Sequence, residues 1–188
     1  QGRKFSKSLN NGVNPLEMIE RYGTDALRMA IVFNAALGND VMFDEQKVNG
    51  MKHFANKLWN IARFIEMNKV SSIKYQALSM NELKEAAKNE IDKEWINKVE
   101  DLTEEITRYL DNYQFNLAGE RLYEFIWHEF ADKYIEDVKN RIDENSYLIL
   151  TTLYIILLKL LHPFMPFITE EIWFEFKKPN LLLIEKWP

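Results

Sequence analysis

No cysteine occurs among the 188 residues, which excludes disulfides and thiolate-bound zinc. Histidine is scarce: His53, His128 and His162 stand far apart and share no ligand spacing, so no metal site is expected. Six glycines and five prolines are too few to punctuate a turn-rich sheet protein, and their scarcity favours helices. There is no glycine-rich strand-to-helix turn and no alternating β-α pattern, so a dinucleotide fold is excluded. The longest apolar run, 147–168, is broken by Thr151, Thr152, Lys159, His162, Pro163 and Pro166. It reads as a buried core helix and its exit, with no membrane partner expected. No secretory signal is read at the N-terminus. The chain starts at Gln1 without a methionine, which leads to the expectation that it is part of a longer protein.

What is present is a globular composition, 47% hydrophobic, 13% aromatic and 28% charged. The net charge of −5 argues weakly against a nucleic-acid partner. Its distribution softens that. Residues 1–75 carry 11 Lys and Arg against 7 Asp and Glu, whereas residues 76–188 carry 13 against 22. A phosphate-facing surface therefore belongs in the first part.

The fold class expected is all-α. A short connector comes first, over residues 1–43, with Asn14 capping a helix that has Pro15 at its first position and ends at Gly23. Thr24 caps the next helix, from Asp25 to about Asn34. A bundle follows over 44–188. Asp44 caps a long helix ending near Met67, whose Met51, Phe54, Leu58, Ile61, Ala62 and Ile65 share one face. A polar connection with a helical turn leads to a second long helix, 90–110, with Ile91, Trp95, Val99, Leu102, Ile106 and Tyr109 on its stripe. Asn116 caps a third helix, 117–139, apolar on two sides, and Ser146 caps a fourth, 147–161, the most apolar of the set. A short helix starts at Pro166 beyond the His162-Pro163 break. Glu129 falls on a core-side arc of the third helix and is read as structural, with Arg63 or Lys133 as its partner. His162 is read as satisfying backbone groups at the break.

Two stretches suit nucleotide or RNA chemistry. Lys4-Phe5-Ser6-Lys7-Ser8 places two ammonium groups and two hydroxyls in five residues, enough to surround a polyphosphate. Off the buried stripe of the long helix, His53, Lys57, Asn60 and Phe64 form a row, and Asn56 and Arg63 lie on the opposite arc. A ring can stack on a base, an amide can read an edge and a cation can meet phosphate. On spacing alone, packing of Phe64 against a neighbour and solvation of Lys57 remain the simpler account.

The resemblance of the whole decides further. Lys4–Ser8 resembles the Lys-Met-Ser-Lys-Ser signature of class I aminoacyl-tRNA synthetases, with Phe5 in place of methionine. Asn14-Pro15-Leu16-Glu17 and Tyr22-Gly23-Thr24-Asp25-Ala26-Leu27-Arg28 follow that family's pattern. Residues 38–45, 54–64 and the closing Trp187-Pro188 look like its valine branch more than its isoleucine or leucine branches, which stay open as alternatives. Trp127-His128-Glu129-Phe130 resembles a family signature too. The resemblance implies a helical anticodon-binding bundle joined to a connector that carries the signature loop. It implies tRNA for valine and the catalytic domain of the same polypeptide as partners, no DNA, and a cytoplasmic setting. ATP is implied as a substrate of the whole enzyme, met by Lys4, Ser6, Lys7 and Ser8, with Lys4 and Lys7 as the catalytic cations and no cofactor in this part. The family's His-x-Gly-His element is missing, so this part alone is expected to be inactive. The resemblance places the long helix where an anticodon loop docks, making His53, Asn56, Lys57, Asn60, Arg63 and Phe64 the expected tRNA contacts. Phe5 is expected to anchor its loop against an apolar pocket of the connector. A protein-interaction module working through the acidic second half is the reading from a different class.

Overall fold

The computed structural model describes residues 5, 12–33, 35, 42–70, 78–176 and 180–188. Among them every regular element is helical: α1 (Pro15–Tyr22), α2 (Thr24–Val32), α3 (Glu45–Met67), α4 (Met80–Ala86), α5 (Glu90–Asp111), α6 (Phe115–Glu124), α7 (Ile135–Lys139), α8 (Glu144–Leu161) and α9 (Pro166–Glu175). A π segment, Phe125–Tyr134, joins α6 to α7 without a break, and one 3-10 turn, Leu182–Ile184, lies near the end. Lys4, Ser6, Lys7 and Ser8 lie outside the described residues. Phe5 is described: its ring centre is 6.4 Å from that of Phe43, yet about half of its surface, 53%, stays exposed.

The capping chemistry fixes most helix starts. Asn14 and Asp44 side chains accept the N–H groups of Leu16 and Gln46. Gly23, at φ 91°, makes the turn between α1 and α2, a conformation that a Cβ would strain. Three starts differ from expectation. α2 begins at Thr24 itself, with Gly23 in the cap position and no side-chain cap. α6 begins at Phe115, before Asn116, and has no side-chain cap. α8 is capped by Asp143 in a reciprocal box with Ser146, so the serine is the third helical residue and not the cap.

α8 is the hub, packed by α3, α4, α5, α6, α7 and α9. It is long and apolar enough to cross a membrane by length and composition, but nearly every residue of it lies inside this bundle. The α3 stripe is buried as expected, with Val48 added. On α5 the stripe turns: Ile91 is exposed and Asp92 is fully buried. The cause is a charge partner. Arg141 reaches both carboxylate oxygens of Asp92 at 2.8 and 3.0 Å, and Tyr134 Oη donates to the same group at 2.8 Å. Burial and the neighbouring Asp92 carboxylate hold the Tyr134 phenol far above its usual range.

The π segment explains Glu129. Burial along this run falls at Phe125 and Ile126, then Phe130 and Ala131, then Tyr134 and Ile135. That recurrence is wider than an α turn and matches the i→i+5 pattern, seen where the Ile135 N–H bonds to the Phe130 carbonyl. An α period would have driven Glu129 and Lys133 inward. The wide turns leave Glu129 half-buried and Lys133 exposed. Glu129 pairs with Arg121 at 2.9 Å, and Arg121 also holds Glu105 at 3.1 Å. The expected partners Arg63 and Lys133 are not used.

The connector is fastened to the far end of the bundle. Asp25, on α2, accepts the N–H groups of Ile168 at 2.6 Å and Phe167 at 3.3 Å, capping α9 from another element. Arg28 donates to the carbonyls of Pro163 and Phe164. His162 bonds not to backbone but to Thr169 Oγ1 through Nδ1, at 2.8 Å. Burial lowers the His162 pKa below its ordinary 6.5, opposed by Glu170 and Asp25. The folded state therefore resists a proton that the unfolded chain takes up, and stability is lost as pH falls below about 6.5. Burial raises the Asp25 pKa from 3.8 against the pull of the Ile168 and Phe167 N–H groups, Arg28 and His162, so its contribution runs the other way at lower pH. The thermal midpoint is expected to fall between pH 7 and 5.5, and to fall less in His162→Gln. Equal slopes for the two proteins would remove His162 as the cause.

Candidate nucleic-acid interface

α3 runs for 23 residues. Off its buried stripe, at 3.6 residues per turn, all six expected RNA contacts fall within one arc of about 120°. Phe64 and Lys57 sit on the edge nearest the π segment, His53 and Asn60 in the middle, Asn56 and Arg63 on the far edge. His53, Asn56, Asn60 and Arg63 are exposed. Arg63 makes no ion pair or hydrogen bond with another described residue.

Phe64 is half-buried: one part of the ring packs on the core and the rest faces outward. Lys139, the last residue of α7, stands with Nζ 5.7 Å from the ring centre. Met67, one turn further along α3, is 79% exposed. Lys57 is not a solvated cation. Its Nζ is 2.8 Å from Asp132 and 5.7 Å from the centre of the Trp127 ring. Trp127 stacks on Phe54, whose ring is buried beneath α3.

The α3 face is thus a shallow platform: an aromatic edge, a thioether and two amides, with Arg63 on one side and Lys139 on the other. It can offer a stacking surface, amide donors and acceptors, and anion contacts, which are the three interactions that unpaired bases and their phosphates accept. It has no general acid, base or nucleophile in a working pair. Among the described residues no three His, Asp or Glu side chains are grouped to hold a metal. An open recess of about 430 Å³ lies elsewhere, lined by Thr103, Thr107, Arg108 and Trp187, and contains none of the α3 residues. A concave pocket suits a small ligand; a splayed loop needs a face. Lys139, Trp127 and Asp132 were not legible as neighbours of α3, because no spacing rule links positions so far apart.

The chain is an all-α bundle entered through a fastened helical connector, with one polar, aromatic-edged helix face on α3. Two protein families match the chain, described as "Anticodon-binding domain of tRNA ligase" over residues 92–188 and "tRNA synthetases class I (I, L, M and V)" over residues 1–44. The chain belongs to the anticodon-binding domain family of tRNA ligases. Residues 45–91, which include α3, lie between the two matches. Whole-chain relatives cover them. Valine–tRNA ligases of Thermotoga maritima and Clostridium perfringens are 41% and 40% identical over all of this chain, and that of Aquifex aeolicus is 39% identical over 95% of it. The chain spans only 21%, 22% and 16% of those three proteins. The fold is that of part of a leucyl enzyme (LeuRS) in a ternary complex with tRNA and LeuAMS from Agrobacterium radiobacter K84. That likeness has a TM-score of 0.81 at 22% identity and covers 100% of this chain and 22% of the other.

Proposed function

We propose that this chain is the anticodon-binding part of a valine–tRNA ligase and that α3 receives the anticodon loop of tRNA for valine. In that reading Phe64 stacks on a base, Asn60 and Asn56 meet base edges, and Arg63, Lys57 and His53 meet backbone phosphates. The observation that carries it is the half-exposed Phe64 and the exposed Arg63 on one solvent arc of a helix, Arg63 without an ion pair among the described residues. The identity of about 40% to valine–tRNA ligases along the whole chain supports valine over leucine or isoleucine. The connector would continue into the catalytic domain of the same polypeptide, where ATP is the substrate that Lys4, Ser6, Lys7 and Ser8 address during adenylation. The setting is cytoplasmic translation.

Phe64→Ala is expected to weaken binding of tRNA for valine about tenfold or more at fixed salt, since stacking on an aromatic contributes about 1–3 kcal/mol. The thermal midpoint must be read beside the affinity, because removing a fully packed phenylalanine costs about 3–5 kcal/mol. Unchanged affinity in a folded variant would rule out Phe64 as the platform. An equal response with tRNA for another amino acid would leave the RNA face standing and remove the valine assignment.

A further inference from the structure

The basic arc of α3 faces an acidic ridge on its neighbour. Glu124, His128 and Asp132 follow one another at four-residue steps along the end of α6 and the π segment. His128 Nε2 lies 4.0 Å from Glu124, and His128 Nδ1 lies 3.8 Å from Asp132 Oδ2. The other oxygen of Asp132 holds Lys57 at 2.8 Å. Lys57 and Asp132 keep 30% and 46% of their side-chain surface exposed, so the pair is open to solvent. On its inner side the ammonium meets the Trp127 ring, which the buried Phe54 holds in place.

A pair this open contributes little to folding. Its chemistry is more informative. To an ammonium, a carboxylate oxygen and a phosphate oxygen are equivalent ligands, both charged acceptors at hydrogen-bond distance. Lys57 therefore sits in a seat of phosphate type, with an aromatic floor and an anionic oxygen already in place. We propose that Asp132 is an internal competitor for Lys57, holding the ammonium in the unbound bundle and yielding it to an RNA phosphate when the anticodon arm docks. The proposal rests on α3 being the RNA face and adds an exchange of partners to it. Affinity is thereby held below what the cations of α3 would give, and on release Asp132 takes the cation back. A ligase that must let go of its charged product at every turnover gains from such a returning partner.

A double-mutant cycle in the full-length polypeptide, titrated with a tRNA transcript carrying a valine anticodon, tests this. Asp132→Asn is expected to tighten binding about three- to tenfold at low salt, with the gain shrinking as salt rises. In a Lys57→Ala background the same change should have no effect. Glu124→Gln removes an equal charge from the same ridge without touching Lys57, and its effect should be the same in both backgrounds. Binding unchanged or weakened by Asp132→Asn would overturn the exchange. So would a gain that persists without Lys57, because the cause would then be the general field of the ridge. If Phe64→Ala and Lys57→Ala both leave the titration unchanged, α3 is not the RNA face and the underlying reading fails, an outcome separate from a silent Asp132 beside a damaging Phe64→Ala.

Discussion

Arg141→Ala is expected to cost about 3–5 kcal/mol of stability, because it strands a buried carboxylate. Asp92 has no exposed side-chain surface, and Arg141 is its only cationic partner among the described residues. The guanidinium meets both carboxylate oxygens and also reaches Asp137, so three segments, α5, α7 and the entry to α8, converge on one side chain. Tyr134 and Asn89 complete the shell around Asp92. Neither can replace the lost charge. For a chain of this size the penalty corresponds to a fall in thermal midpoint of roughly 6–20 °C. Arg141→Lys keeps the charge and loses the fork, so its midpoint should lie between the two. A fall of less than roughly 3 °C for the alanine variant would rank this network with ordinary surface pairs.

The second large effect belongs to the signature loop. In the whole ligase, Lys7→Ala is expected to lower adenylate formation by about 10²–10³-fold or more, the usual loss when one preorganised charge-stabilising donor is removed. Positive charge set against the departing pyrophosphate acts where negative charge develops. The cost to folding should be near zero. The stretch Lys4–Ser8 has no apolar periodicity, and α1 begins on its own cap, where Asn14 accepts the Leu16 N–H. ATP–pyrophosphate exchange without tRNA, read beside the thermal midpoint, separates the two roles. A drop of several degrees with exchange intact would make Lys7 a structural residue.

Much of the bundle was legible because its helices carry strong apolar stripes. The seven buried residues of α3 lie where a period of 3.6 puts them, and the saturated apolar run of α8 marks the hub. Several errors share one physical origin, charges whose partners are distant in sequence. Asp92 replaced Ile91 in the α5 stripe because Arg141 waits 49 positions later. Lys57 looked like a solvated cation until Asp132, 75 positions on, was seen beside it. Periodicity reads burial by transfer preference and is blind to a burial that a counter-charge permits. The exposed α3 platform was legible as a set of residue types. Its rim was not, since Lys139 reaches Phe64 only through the path of another helix.

The π segment sets the angular phase of everything after it. Ten residues of wide turns carry the chain from Phe125 to Tyr134 before α7 resumes. One residue of an α-helix corresponds to a rotation of roughly 100°. The wide turns absorb one residue more than an α period would hold, so were the run to tighten to α with every residue kept, the helix beyond would emerge turned by about that angle. Lys139 would swing off the Phe64 ring and Arg141 off Asp92 together. The spacing between residues 125 and 134 thus acts as a length code shared by the α3 platform and the core. A substitution there can be absorbed by neighbouring side chains, whereas loss of the wide turns disconnects the α3 face from its support.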